Sequence, residues 1–207
     1  SKLKKKESIL GWASIFNLLP NEEDEILISS TPMSASGERI PTVHRLNVNT
    51  GKMSSTVAGG PVAKADFITD RQGNVKLALG VNVNGERKVF RFVEEGRTWS
   101  EVPSETFGEG YYPLTFDESG SSLLFLDDKD SDIQGLFKLD IGSGKQTLLY
   151  RDDKVDITDV EFNLDRSNAY AIRVDPDYPT YVMLDKKSEE AKVFRFLLKI
   201  FPGYKIN

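Results

Sequence analysis

The chain has 207 residues, of which 39% are apolar and 29% charged, and its formal net charge is -5 at neutral pH. That balance excludes a charge-rich disordered tail, and no run of about 20 apolar residues offers a membrane-spanning helix. The absence of cysteine excludes disulfides, thiolate zinc sites and a cysteine nucleophile, and the mildly acidic character argues against nonspecific binding to nucleic acid.

The first residues, Ser1-Lys2-Leu3-Lys4-Lys5-Lys6-Glu7, are basic but lead into only a short apolar patch around Trp12, with Asn17 and Pro20 close behind. They are therefore read as a solvated tail rather than a signal peptide, and the missing initiator Met as a cut or engineered terminus. From there the pattern is almost all strand. Strands are expected over residues 9–16 and 26–30, separated by the acidic turn 21–25, then over 42–48 and 53–57 as a hairpin across Asn49-Thr50-Gly51-Lys52, where Asn and Gly suit a tight reversal. A second unit places strands at 65–69, 75–83, 88–93 and 98–102, joined by Asp70-Arg71-Gln72-Gly73, Asn84-Gly85 and Glu94-Glu95-Gly96-Arg97. A third repeats it at 112–116, 122–127, 135–140 and 146–150, with a longer acidic connection over 128–134. A fourth begins at 157–162, 168–174 and 180–184.

One motif recurs through these units: Phe67-Ile68-Thr69-Asp70, Leu114-Thr115-Phe116-Asp117 and Val160-Glu161-Phe162-Asn163-Leu164-Asp165, with Asp70, Asp117 and Asp165 spaced by 47 and 48 residues. Such a period, filled with short β-branched and aromatic runs broken by Gly, Asp and Asn turns, is the signature of propeller blades. Where the fourth unit needs a last strand, residues 186–201 turn helical instead, with Ala191, Phe194, Leu197, Leu198 and Phe201 at spacings of three and four before Pro202-Gly203. The expected fold is thus all-β: one partial β-propeller domain over residues 1–207, with about four antiparallel four-stranded blades at 9–57, 64–102, 112–150 and 157–184, the last incomplete, and a C-terminal helix. An unfinished blade reads as part of a larger ring, because radial repetition protects sheet edges only when the ring closes.

The succession Leu46-Asn47-Val48-Asn49-Thr50-Gly51-Lys52, then residues 67–78, then Tyr112-Pro113-Leu114-Thr115-Phe116-Asp117, then Gly135-Leu136-Phe137-Lys138-Leu139-Asp140 resembles the N-terminal propeller of prolyl oligopeptidase-family serine peptidases, in the bacterial dipeptidyl aminopeptidase and acylaminoacyl-peptidase branch. The likeness runs from about Trp12 to Asn207 and includes the helical segment. It implies a parent with an α/β-hydrolase domain whose nucleophile sits in Gly-x-Ser-x-Gly. No such motif is present in these residues, and the only histidine, His44, sits in an expected strand beside Arg45, where a packing role outweighs that of a general base. The resemblance therefore implies a segment without catalytic residues that restricts access to the active site and helps select short peptides.

Other patterns have plainer readings. Gly142-Ser143-Gly144-Lys145-Gln146-Thr147 is similar to a phosphate-binding loop, but Leu139 stands where the first Gly belongs and a strand follows, so a hairpin turn is expected. Asp128-Lys129-Asp130-Ser131-Asp132 alternates carboxylates as calcium loops do, but Ile133 replaces the sixth-position Gly and Leu139 the twelfth-position Glu. It is read as a solvated acidic loop at the end of a blade, with a contribution to substrate-facing charge as the alternative. Glu94-Glu95 is similar to the paired glutamates that hold a substrate's amino terminus in some dipeptidyl peptidases, yet here it opens a hairpin turn. Trp12 and Trp99 are the available stacking platforms for a sugar or other ligand, and Trp99 lies within a strand.

The sequence thus predicts a non-catalytic propeller segment of a serine peptidase, with no metal and no cofactor. Its expected partners are its own C-terminal α/β-hydrolase domain and peptide substrates, with no nucleic acid and no membrane, and an edge-mediated homodimer follows from an open ring. The alternative is a stand-alone scaffold, TolB-like or WD-like, that binds a protein or ligand. The expected setting is a soluble one, cytoplasmic or periplasmic. A downstream hydrolase reading frame would favour the peptidase, and a stop codon the binding module.

Overall fold

The computed structural model describes residues 11–33, 39–164 and 166–206. The chain divides into two compact units, Ser1–Ser104 and Glu105–Asn207. In the first, β1 (Gly11–Asn17), β2 (Glu25–Pro32), β3 (Thr42–Asn47) and β4 (Ala58–Gly59) form one antiparallel meander, and β5 (Asp66–Thr69), β6 (Val75–Val81), β7 (Arg87–Val93) and β8 (Thr98–Glu101) a second. In the second unit, β9 (Tyr112–Phe116), β10 (Ser122–Asp127), β11 (Gly135–Asp140) and β12 (Gln146–Tyr150) form a third, and β13 (Ile157–Phe162), β14 (Ala169–Val174) and β15 (Thr180–Met183) a three-stranded fourth, followed by α1 (Glu189–Ile200).

Each unit is held by the faces of its two sheets. Leu27, Val43 and Ala58 pack with Phe67, Val75, Ala78 and Phe90 in the first. Leu124 and Leu136 pack with Ile157, Val160, Ile172 and Val174 in the second. Aromatic rings reinforce the first core, with Phe67 6.1 Å and Phe92 4.9 Å from Trp99. Sheets stacked face to face through alternate residues of four-stranded meanders are the construction of a propeller blade. The chain is an all-β partial propeller with one C-terminal helix.

The turns explain the repeat. At one end of every sheet, connections leave an Asn or Asp whose side chain closes its own turn, so the polar backbone of the reversal is satisfied locally. Asp70 accepts from the N–H groups of Gln72 (3.0 Å) and Asn74 (2.8 Å). Asp117 accepts from Ser121 and Ser122 N–H (3.2 Å each). In the fourth sheet the acceptor is Asn163, bonded by Asn168 N–H at 3.0 Å, and in the first it is Asn17, bonded by Leu19 N–H at 2.8 Å. The repeating position therefore runs Asn17, Asp70, Asp117, Asn163. Asp165, expected as the fourth sheet's counterpart, lies outside the described residues. In the first and third sheets the third-to-fourth strand turn uses the same device: Asn47 accepts from Thr50 N–H and Asp140 from Ser143 N–H, at 2.8 and 2.7 Å.

Two strands differ from expectation for the same reason. The fourth strand of the first sheet is Ala58–Gly59 rather than 53–57, where only Met53 bridges back to Leu46. Ser54 interrupts the ladder because its hydroxyl, instead of a backbone carbonyl, accepts the Arg45 N–H at 2.9 Å. β6 ends at Val81 rather than at residue 83, because Asn82 takes the N–H groups of both Asn84 (2.9 Å) and Glu86 (3.0 Å) and opens a wider loop than a two-residue Asn-Gly hairpin.

In the fourth sheet Asp185 occupies the place of Asp140 and accepts from Lys187 and Ser188 N–H at 2.8 and 3.2 Å. Ser188 then caps a helix, its hydroxyl accepting Ala191 N–H at 3.3 Å, with Glu189 and Glu190 in the first turn and Lys199 in the last, as the helix dipole favours. The helix replaces a fourth strand and covers the sheet: Ala191 and Phe194 pack on Tyr170 and Ala171, with Tyr181, Met183, Leu198 and Ile206 around them. Among the described residues no helix is long and apolar enough to cross a membrane.

Candidate functional site

A meander puts its first-to-second and third-to-fourth turns at one end of the sheet and its second-to-third loops, with the connections between sheets, at the other. In the second unit that other end carries a cleft. The acidic loop after β10 forms one wall, and residues 105–110, just ahead of β9, form the other. Glu105, Phe107, Glu109, Asp128, Asp130 and Asp132 line an open cavity of about 690 Å³, which falls within the range of about 300–1,000 Å³ typical of small-ligand sites.

The two walls are fastened together by a buried carboxylate, Asp127, and a partly buried one, Asp128. Gly108 N–H donates to both oxygens of Asp127 at 3.0 Å, and Gly110 N–H donates to Asp128 at 2.9 Å. Lys129 Nζ and Gln146 Nε2 both donate to the Thr106 carbonyl, at 3.0 and 2.8 Å. A Cβ on Gly108 would collide with both carboxylates and stand 2.8 Å from the Lys129 backbone nitrogen, so only glycine admits this approach. Beneath the loop, Phe107 packs at a tilt against Tyr111, ring centroids 3.9 Å apart, and meets Phe125 edge-on at 5.4 Å. Asp127 is fully buried, and that burial raises its pKa above the ordinary carboxylate value, with the charge of Asp128 adding to the shift. The exposed rim, with Asp130 and Asp132, supplies negative charge that attracts a cationic group.

The sequence pointed to Asp128, Asp130 and Asp132 but not to the opposing wall. A signal for it existed: two glycines flanking one Glu between aromatic Phe107 and Tyr111 mark a place where backbone must approach closely. Among the described residues, no three Asp, Glu or His side chains converge as metal ligands.

The remaining motifs fall elsewhere. His44 is buried on β3, its Nδ1 3.2 Å from the Ser54 carbonyl and its Nε2 2.9 Å from the Thr42 hydroxyl, so both ring nitrogens serve packing. Gly142–Gln146 is the β11–β12 turn, with Gly144 in the left-handed region (φ 71°) and Asp140 accepting from Ser143. Glu94 forms an ion pair with Lys76 at 3.0 Å. In that turn the left-handed residue is Arg97 (φ 49°) rather than the neighbouring glycine, and its guanidinium donates to the Thr56 and Val57 carbonyls at 2.8 and 2.6 Å. Trp99 is half-buried and donates to the Gly59 carbonyl at 2.7 Å, while Trp12 is exposed under Arg39. Lys2, Lys4, Lys5 and Lys6 lie outside the described residues.

No protein-family model matches the sequence, and no curated protein matches it. Among solved structures the chain is similar to TolB from Acinetobacter baumannii, at 14% identity and a TM-score of 0.48 over 76% of this chain and 37% of that one. It is similar to the β-propeller domain of the Trilobed protease from Pyrococcus furiosus, described as having an open velcro topology, at 12% identity and a TM-score of 0.49 over 83% and 53%. A third likeness, to a chain of a nidogen–laminin complex, has 13% identity and a TM-score of 0.39 over 76% and 60%. The chain thus spans from 37% to 60% of the length of these structures.

Proposed function

We propose that this chain is a non-catalytic propeller segment that restricts substrate access and contributes to peptide selection for an α/β-hydrolase peptidase domain. The observation that carries this reading is the acid-lined cleft at the loop end of the third sheet, between Glu105–Glu109 and Asp128–Asp132. A peptide's free amino terminus is a compact cation, and several carboxylates around it supply charge-assisted hydrogen bonds that a neutral or acetylated end does not form. The order of motifs that resembles prolyl oligopeptidase-family propellers supports the same reading, and the hydrogen bonds of His44 to Thr42 and Ser54 within its own sheet fit a packing role for it. In this reading the partners are the protein's own hydrolase domain and short peptide substrates.

The test is titration of the 207-residue chain, by calorimetry, with a short peptide bearing a free amino terminus and with its acetylated twin, alongside a chromogenic aminoacyl substrate. The expected result is binding at least about tenfold tighter for the free amine, a preference removed by Asp130→Asn with Asp132→Asn, and no hydrolysis. Equal binding of the two peptides, or turnover by the chain that a serine inhibitor abolishes, would overturn the reading.

A further inference from the structure

The outer face of α1 is apolar, whereas the solvent-facing side of an amphipathic helix is ordinarily polar. Ala191 and Phe194 face the sheet, whereas Val193, Phe196 and Ile200 are 59%, 62% and 49% exposed. Their three-and-four spacing lines them up along one side of a helix whose other side is fixed by packing. Exposed Phe201 and Tyr204 extend the stripe beyond the helix end.

The stripe is bordered by cations. Lys192 and Lys199, seven residues apart, stand on one flank with Arg195 behind them. Lys192 is paired with Glu189 at 2.6 Å, while Arg195 and Lys199 make no ion pair among the described residues. Residues 186–205 hold six Lys or Arg against two Glu, in a chain whose net charge is -5. Positive charge is therefore concentrated where the exposed apolar side chains are.

From this juxtaposition we propose that α1 docks an acidic amphipathic helix of another polypeptide, with Phe196 as the central anchor and Arg195 and Lys199 meeting carboxylates on the partner's flank. This proposal is independent of the cleft and its ligand. Charge complementarity selects the occupant. Two copies of α1 laid antiparallel would set Lys192 of one against Lys199 of the other, a like-charge pairing that disfavours a second copy through this face. An anionic bilayer is a plane of charge extending many Debye lengths, against which the acidic remainder of the chain would also be held. A single acidic helix interacts only along the roughly 18 Å of α1, within reach of its cations.

The experiment uses the whole chain and three probes: a synthetic helical peptide with leucines at three-and-four spacing bordered by glutamates, the same peptide with lysines replacing the glutamates, and vesicles of phosphatidylcholine with phosphatidylserine. The acidic peptide is expected to bind, with amide shifts confined to α1 and residues 201–206, and to bind at least about tenfold more tightly than its basic twin. Phe196→Glu should weaken it by at least about tenfold while leaving the far-ultraviolet spectrum unchanged. Arg195→Glu with Lys199→Glu, two exposed positions, should invert the preference between the peptides. Equal affinity for the two peptides, shifts elsewhere, vesicle binding without peptide binding, or self-association that Phe196→Glu abolishes would each overturn the proposal.

Discussion

Asp127 has no exposed surface, yet both of its oxygens are turned to the Gly108 N–H. Burial is the main cause of its raised pKa, and the N–H groups of Gly108, Asp128 and Lys129 oppose it without cancelling it. A carboxyl whose folded-state pKa exceeds its unfolded value holds its proton better in the folded protein. Its contribution to stability therefore grows as pH falls through the raised value and is complete below the ordinary value of 3.8. Asp117 has the opposite sign: burial pushes its pKa up, but the Ser119 hydroxyl, the Ser122 N–H and the Lys138 ammonium together bring it below 3.8. Its stabilisation is present at neutral pH and is lost on acidification through that lowered value. The stability of the parent relative to Asp127→Asn is thus expected to increase as pH falls from neutral toward about 4, read from urea midpoints across a pH series. A pH-independent difference would contradict the assignment.

α1 depends on one aromatic anchor and one cap. Phe194 meets Tyr170 and Tyr181 edge-on at 5.4 and 5.1 Å, so Phe194→Ala removes two ring contacts and leaves a void against the sheet. A loss of about 3–5 kcal/mol is expected from Phe194→Ala and about 1 kcal/mol from Ser188→Ala, against less than about 0.5 kcal/mol from Phe196→Ala, measured by chemical unfolding. The helix itself was legible because its apolar spacing changes from two to three and four, and the third sheet was legible residue for residue because each strand is bounded by Asp or Gly turns. What escaped was side-chain competition for backbone N–H groups. Ser54 and Asn82 each displace a strand end by accepting from main chain, and in the fourth sheet's first turn Asn163 accepts from the main chain, a role that nothing in its residue type alone announces. The cleft was half legible for a related reason: its acidic loop is continuous in sequence, whereas its glycine wall is brought to it by tertiary hydrogen bonds.

Across the molecule, burial is uneven. All six residues of β14 are buried, and β10 and β11 are nearly so, whereas the first five residues of β1 are exposed and β4 has only two residues. Local opening follows buried contact, so amide hydrogen exchange is expected to be slowest in β10, β11 and β14 and fastest in β1 and β4, in a mass-spectrometric time course. Uniform protection of the strands would contradict that gradient.

The self-closing Asn and Asp reversals also divide the labour of evolution between the two ends of each sheet. Where a side chain completes its own turn, the number of residues in that turn is pinned, and any insertion strands the acceptor. The opposite rim is locked only at particular loops, by Asn82 after β6 and by Asp127 and Asp128 after β10, so away from those residues length and chemistry can change, and a new recognition surface be grafted, without disturbing strand register.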